Sequence, residues 1–272
     1  MSVSLWNLLL ITNLFYCMII QLISFPWYEG NLSAQEENLR IKTICDFLND
    51  TSADFVMFSE HVIGNINSLD IINKSVQDKG ICSLFEINDR SRIGLARNRL
   101  FLLKDNNIIN LQTRQVFSEA KYADEERVER LIEELEYHRH FEINKKKFLI
   151  LQCGENNILK SIRGTHEAEF RLQNRPDLKK RFQNVIENAD VVLNPVHTRW
   201  GRYGDFLCRI RTFSKKKRYC FSCSQIEEYQ LERAKVNPAK NTIQIAMCNK
   251  KLVAPILSID KNGCLIQSYD IR

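Results

Sequence analysis

Glycine and proline are scarce in this chain, 9 and 5 among 272 residues. That scarcity excludes collagen-like and linker-dominated architectures. Neither sign of charge dominates: 39 Lys and Arg stand against 33 Asp and Glu, a net charge of +6. The excess is too small and too dispersed to be the electrostatic footprint of a nucleic-acid binder, so no nucleic-acid partner is expected. No internal repeat, low-complexity tract or convincing linker interrupts the sequence, which sets aside solenoids and disordered arrays. What remains is ordinary globular material, 44% hydrophobic and 26% charged, with chain enough to bury a core.

Cysteine is plentiful, but a pairing pattern is missing. The nine cysteines, Cys17, Cys45, Cys82, Cys153, Cys208, Cys220, Cys223, Cys248 and Cys264, are odd in number and scattered. A disulfide framework favours an even count in a short secreted chain, so a reducing compartment, the cytoplasm, is the expected location. Cys220-Phe221-Ser222-Cys223 has CxxC spacing, yet no second pair follows at zinc-ribbon spacing, and no metal site is expected there.

Charge is also absent from the opening of the chain, where no charged side chain occurs from Met1 to Tyr28. A bilayer span needs about 20 apolar residues, so the length suffices. Asn7, Thr12, Asn13, Gln21 and Ser24 interrupt the run, and no Lys or Arg precedes it as in a signal peptide. The reading is an apolar extension over residues 1–17, followed by a single domain over 18–272 that opens on a buried strand at 18–25. Membrane contact through residues 1–25 is the alternative, and the basic runs at 145–147 and 215–218 would then add attraction to anionic lipid. Otherwise those runs are solvated faces.

Helix and strand signals alternate along the rest. Ile41, Ile44, Phe47 and Leu48 recur at helical spacing and are followed by the apolar run Ala53-Asp54-Phe55-Val56-Met57-Phe58. Val128, Leu131, Ile132 and Leu135 mark a second helix, followed by Phe148-Leu149-Ile150-Leu151. Leu178, Phe182, Val185 and Ile186 mark a third, followed by Val191-Val192-Leu193. Each run ends in polar or reactive groups, as expected of α/β strands whose carboxyl ends carry function. Residues 92–103 read as a strand before the turn Asp105-Asn106-Asn107. The carboxyl-terminal part reads as strands at 219–222, 242–247, 252–259 and 264–269, the last two joined by the hairpin turn Asp260-Lys261-Asn262-Gly263.

Two strand ends carry the chemistry. Cys153 follows a buried run and precedes Gly154, so a tight turn would expose its thiol as a nucleophile. Gly154 would let the backbone approach a substrate and offer its N–H to a developing oxyanion. Glu60 closes the first run, where a carboxylate is costly unless paired or used; it is a candidate general base, with His61 beside it.

With these residues in view, a resemblance emerges. The strings Ala53-Asp54-Phe55-Val56-Met57-Phe58-Ser59-Glu60, Leu151-Gln152-Cys153-Gly154-Glu155-Asn156 and Ala189-Asp190-Val191-Val192-Leu193-Asn194-Pro195-Val196-His197-Thr198 resemble, in that order, motifs of the nitrilase superfamily of carbon–nitrogen hydrolases. The closing Ile256-Leu257-Ser258-Ile259-Asp260 with Gly263 is similar to its late hairpin, so the likeness extends over roughly residues 18 to 272. The resemblance implies a four-layer α-β-β-α sandwich, homo-oligomeric, with no metal and no organic cofactor. It implies a Glu-Lys-Cys triad cutting a non-peptide C–N bond of a small amide or nitrile through a thioester. Glu60 and Cys153 fill two places. The lysine departs from the usual pattern: alignment on the 105–109 hairpin puts Arg114 in its place, whereas Lys121, 32 residues before the cysteine, fits a variant with an acidic residue four positions later, Glu125. The resemblance thus implies a triad of Glu60, Lys121 and Cys153, with Arg114 the alternative occupant of the lysine place and Gly154 and Glu125 positioning the oxyanion and substrate.

The same resemblance makes Glu155, Asn156, His197, Thr198 and Arg199 substrate-binding candidates. Arginine beside aromatics and glycines at 197–204 is suited to an anionic substrate group. Two alternatives stay open: an N-acyltransferase of the same superfamily, and a nitrilase-like scaffold that binds without turnover.

Overall fold

The computed structural model describes residues 17–28, 32–77, 80–89, 91–196, 203–227 and 243–272. Of the apolar extension 1–17, only Cys17 lies within them.

Ser33 starts the first helix. Its hydroxyl accepts from the Glu36 N–H at 3.2 Å, and the Glu36 carboxylate accepts from the Ser33 N–H at 2.8 Å. This reciprocal cap satisfies two donors that a helix start leaves open. The helix α1 (Ala34–Asp50) buries Ile41, Ile44, Phe47 and Leu48 against the sheet formed by β1 (Met18–Ser24) and β2 (Phe55–Phe58). Next come α2 (Ile66–Ser75), β3 (Cys82–Asn88), β4 (Asn98–Lys104) and β5 (Asn107–Arg114). The second half runs through α3 (Glu125–Tyr137), β6 (His140–Ile143), β7 (Lys146–Ile150), β8 (Leu159–Ser161), β9 (Ala168–Phe170), α4 (Pro176–Glu187), β10 (Val191–Pro195) and α5 (Tyr203–Phe213). It closes with β11 (Tyr219–Cys223), β12 (Gln244–Cys248), β13 (Lys251–Leu252), β14 (Leu257–Lys261) and β15 (Cys264–Ile271).

Two large sheets result, ordered β14-β15-β1-β2-β3-β4-β5 and β13-β12-β11-β10-β7-β6, with β8–β9 a separate hairpin. Strand alternation then builds three hydrophobic cores. Val56 and Phe58 face α1 and α2, while Phe55 and Met57 face the other sheet. Phe148 and Ile150 answer them across the gap, and Leu149 and Leu151 face α3, α4 and α5. The order is helices, sheet, sheet, helices. It is the expected four-layer α-β-β-α sandwich. Runs buried on both faces explain why these strands are continuously apolar. Burying one such side chain contributes about 1.5–3 kcal/mol, whereas an exposed pair such as Lys216–Glu187 is screened by water and adds little.

Several boundaries differ from the sequence reading. The stretch 92–103 is not one strand: Gly94, at φ 60°, opens a 3-10 turn over Gly94–Arg97, and pairing begins only at Asn98. The stretch 252–259 splits into β13 and β14 around Pro255, which has no N–H to pair. The helix α2 and strand β3 had no assignment. The hairpin turn forms as read, with Asn262 and Gly263 both at positive φ (57° and 73°), the geometry of a two-residue primed turn.

The strand β1 sits between β15 and β2 with its side chains largely buried. Residues 18–24 are therefore sheet interior. Among the described residues no helix is long and apolar enough to cross a membrane. All nine cysteines are free thiols. The CxxC sulfurs do not form a pair: Cys220 belongs to the helix-facing core and Cys223 to the core between the sheets.

Candidate active site

The carboxyl ends of the parallel strands meet at one rim, where α/β folds collect their functional groups. Glu60 follows β2 and is wholly buried. Its main chain is tied to residues just beyond the ends of two strands of the other sheet: Glu60 N donates to Val196 O at 3.3 Å, and Gln225 Nε2 donates to Glu60 O at 2.8 Å. Its side chain reaches the turn after a third, β7, since Cys153 N donates to Glu60 Oε1 at 2.8 Å. The carboxylate and the cysteine, 93 residues apart in sequence, are thus brought together.

Cys153 opens a 3-10 turn, Cys153–Ile158, at φ 29°. A residue with a Cβ pays about 1 kcal/mol or more for such a conformation, so its surroundings must impose it. They do so through buried amides and one ion pair. Asn194 Nδ2 donates to Leu151 O at 2.7 Å and Cys153 O at 3.1 Å, and Asn156 Nδ2 donates to Cys153 O at 3.0 Å. Glu155 and Arg139, both fully buried, form a bidentate pair. Glu155 also accepts from Val116 N at 2.7 Å and Gln152 N at 2.9 Å. Burial pushes the Glu155 carboxyl up, while the Arg139 guanidinium and the two backbone donors pull it back down. Gly154 is required sterically: a Cβ there would stand 1.7 Å from Ser118 O.

No protein-family model and no curated protein sequence matches the chain. Solved structures do. An amidase from Nesterenkonia sp. superposes with a TM-score of 0.54 at 10% identity, over 93% of this chain and 90% of that one. A mutant of the Nesterenkonia AN1 amidase from the nitrilase superfamily gives 0.54 at 8% identity over the same shares. The fold is that of the nitrilase superfamily. A glutamine-dependent NAD(+) synthetase from Cytophaga hutchinsonii also matches, at 0.54 and 11% identity, over 94% of this chain but 43% of its own length.

Within this nitrilase fold the remaining candidates go to different places. Lys121 stays on the surface: its side chain is 63% exposed, its ammonium lies 3.2 Å from Glu119 Oε2 and it sits over the Tyr122 ring. Arg114 is exposed, and only its carbonyl faces inward, accepting from Arg139 Nη2 at 2.5 Å. Glu125 is the first residue of α3, paired outward with Arg175 at 3.0 Å and Asn174 at 3.1 Å. The side chains of Lys121, Arg114 and Glu125 are therefore directed to the surface, although the segment Ala120–Tyr122 itself lies against the Cys153 turn. Glu155 is spent inside the turn rather than open to substrate. Asn156 clamps the Cys153 carbonyl and accepts from Arg209 Nη1 at 3.0 Å. His197, Thr198 and Arg199 lie outside the described residues.

The sequence reading missed a buried polar chain beside Glu60. His61 Nε2 stands 3.0 Å from Asn98 Oδ1, Asn98 Nδ2 donates to Gln115 Oε1 at 2.6 Å, and Gln115 Nε2 donates to Phe117 O at 3.4 Å. The side chain buried next to the exposed Arg114 is thus Gln115, a neutral amide. The register of β5 against β4 shifts between the pairs Arg99–Arg114 and Phe101–Asn110, with Gln112 at φ 54°. That irregularity uncouples chain position from inward direction, so counting from the hairpin cannot find the buried residue. Strand-end His61 was the visible signal.

Glu60, His61 and Glu86 each offer a ligand atom, and these atoms lie within 4.8 Å of one another. His61 Nε2 also stands 3.0 Å from Asn98 Oδ1, an acceptor that would compete with a metal for that nitrogen.

Proposed function

We propose that the chain is a cofactor-independent hydrolase of a non-peptide C–N bond in a small amide, with Cys153 as nucleophile and Glu60 as proton carrier. The contact between Cys153 N and Glu60 Oε1 at 2.8 Å carries this reading, because it puts carboxylate and cysteine at one turn on a strand rim. Glu60 takes the thiol proton and the sulfur attacks the carbonyl carbon. The C–N bond then breaks, and the proton held by Glu60 leaves with the amine. Water, deprotonated by Glu60, attacks the thioester and releases the acid and the free thiol. The Gly154 N–H is the candidate oxyanion donor. With Lys121 engaged at Glu119, an ammonium from that position is left out of the mechanism. One missing donor costs about 2.7–4 kcal/mol of transition-state stabilisation, so the expected enzyme is slow.

The test is ammonia or amine release over an amide panel. Cys153→Ala abolishes it, Glu60→Gln lowers it by at least about 100-fold, and Lys121→Ala changes it by less than about twofold. Activity that survives Cys153→Ala overturns the mechanism. Product that forms only with added amine assigns the chain to the acyltransferases. The buried neutral Gln115 favours a second reading, a nitrilase-fold protein that binds its ligand without turnover. Rapid, selective alkylation of Cys153 near neutral pH would speak against it.

A further inference from the structure

Behind the Cys153 turn, the β8–β9 hairpin and the start of α5 enclose an open cleft of about 570 Å³, within the range of small-molecule sites. Its walls carry Lys160, Arg163, His166, Arg171 and Arg209 against one carboxylate, Asp205. Lys160 pairs with Glu169 at 3.3 Å, but among the described residues Arg163, Arg171 and Arg209 form no ion pair. Arg171 and Arg209 are half-buried and repel one another. Burial, followed by the Arg171 charge, holds Arg209 below the usual guanidinium range. Arg209 Nε is moreover buried without an acceptor among the described residues. Guanidinium groups left this way are costly unless an anion comes to them.

Both arginines are wired to the turn. Arg209 Nη1 donates to Asn156 Oδ1 at 3.0 Å, and Asn156 donates to Cys153 O. Arg171 Nε donates to Asn157 O at 2.7 Å, and Asn157 Nδ2 donates to Gly154 O at 2.7 Å. We propose that this cleft binds a phosphoryl group, free or carried by a small molecule, between Arg163, Arg171 and Arg209, and that its occupation stiffens the Cys153 turn. The cation excess suits a dianion better than a single carboxylate, and guanidinium forks match phosphate oxygens in pairs.

Calorimetric titration of the full chain with inorganic phosphate, phenyl phosphate and acetate tests the site without reference to catalysis. Saturable binding of the two phosphates, and of acetate at least about tenfold more weakly, is expected. Equal affinity for both phosphates identifies the free ion as sufficient; tighter phenyl phosphate binding identifies an ester. Arg163→Ala, whose side chain is exposed, weakens binding about threefold. Arg209→Gln weakens it at least about tenfold. Phosphate also slows amide hydrogen exchange over residues 153–158 in the wild type and not in Arg209→Gln. Absence of saturable phosphate binding, or acetate binding equally well, overturns the site. Binding indifferent to both substitutions overturns its location, and unchanged exchange overturns the link to the turn.

Discussion

At the scale of single residues, the Cys153 turn depends on groups that perform no chemistry. Arg139 satisfies Glu155 and also donates through Nε to Thr113 Oγ1 at 2.6 Å, tying β5 to the turn. Arg139→Met leaves a buried carboxylate held only by backbone donors. It is expected to cost about 3–5 kcal/mol in urea unfolding. A loss below about 1 kcal/mol would show that the pair contributes little. Glu155→Gln strands the buried Arg139 guanidinium instead, and a comparable loss is expected. Gly154→Ala drives a Cβ into Ser118 O. The backbone must move, and thermal unfolding should report a loss of a few kcal/mol. Arg139 escaped the sequence reading for a local reason. In His138-Arg139-His140 a buried arginine looks like any surface charge, and only the carboxylate supplied by the turn beyond β7 makes its burial tolerable.

At the scale of elements, legibility followed burial. The strands β2, β7 and β10 are covered on both faces, so their apolar runs announced them. The helix α2 turns only a narrow face inward, through Ser68, Leu69 and Ile72, and its pattern is correspondingly thin. Residues 94–97 carry mixed polarity that suits a strand edge as well as the 3-10 turn they form. The β14–β15 hairpin was legible because its turn is chemical rather than topological: Asn262 and Gly263 tolerate positive φ. Gly263→Ala meets only ordinary contact, 3.6 Å to Pro26 Cγ, so its cost is conformational. About 1–2 kcal/mol is expected in urea unfolding; no loss would mean that the turn relaxes to another type.

For the whole molecule, the buried thiols make stability fall at high pH. Burial pushes Cys82, Cys223 and Cys264 up to about 12 from an ordinary value of 9.0. Between pH 9 and 12 the unfolded chain gives up these protons and the folded one keeps them. Their contribution is complete below pH 9 and is lost as pH rises towards 12, by about 1.4 kcal/mol per thiol per pH unit. Urea unfolding at pH 7, 9 and 10.5 should show a small change over the first interval and a steep loss over the second. A level profile would place these sulfurs in contact with water.

The sequence by itself determined the layered α/β architecture, because a strand buried on both faces must be apolar throughout and a helix on one face must repeat at its own period. It also singled out Glu60 and Cys153, since strand ends in such folds fall on one rim. Tertiary structure alone decided what surrounds them. Lys121 is held outward by Glu119 and Tyr122, while Gln115 is carried inward by an irregular strand. The spacing of residues along a chain encodes direction only while the backbone keeps a regular period. At the breaks in that period, competing contacts from distant segments decide which side chain is buried.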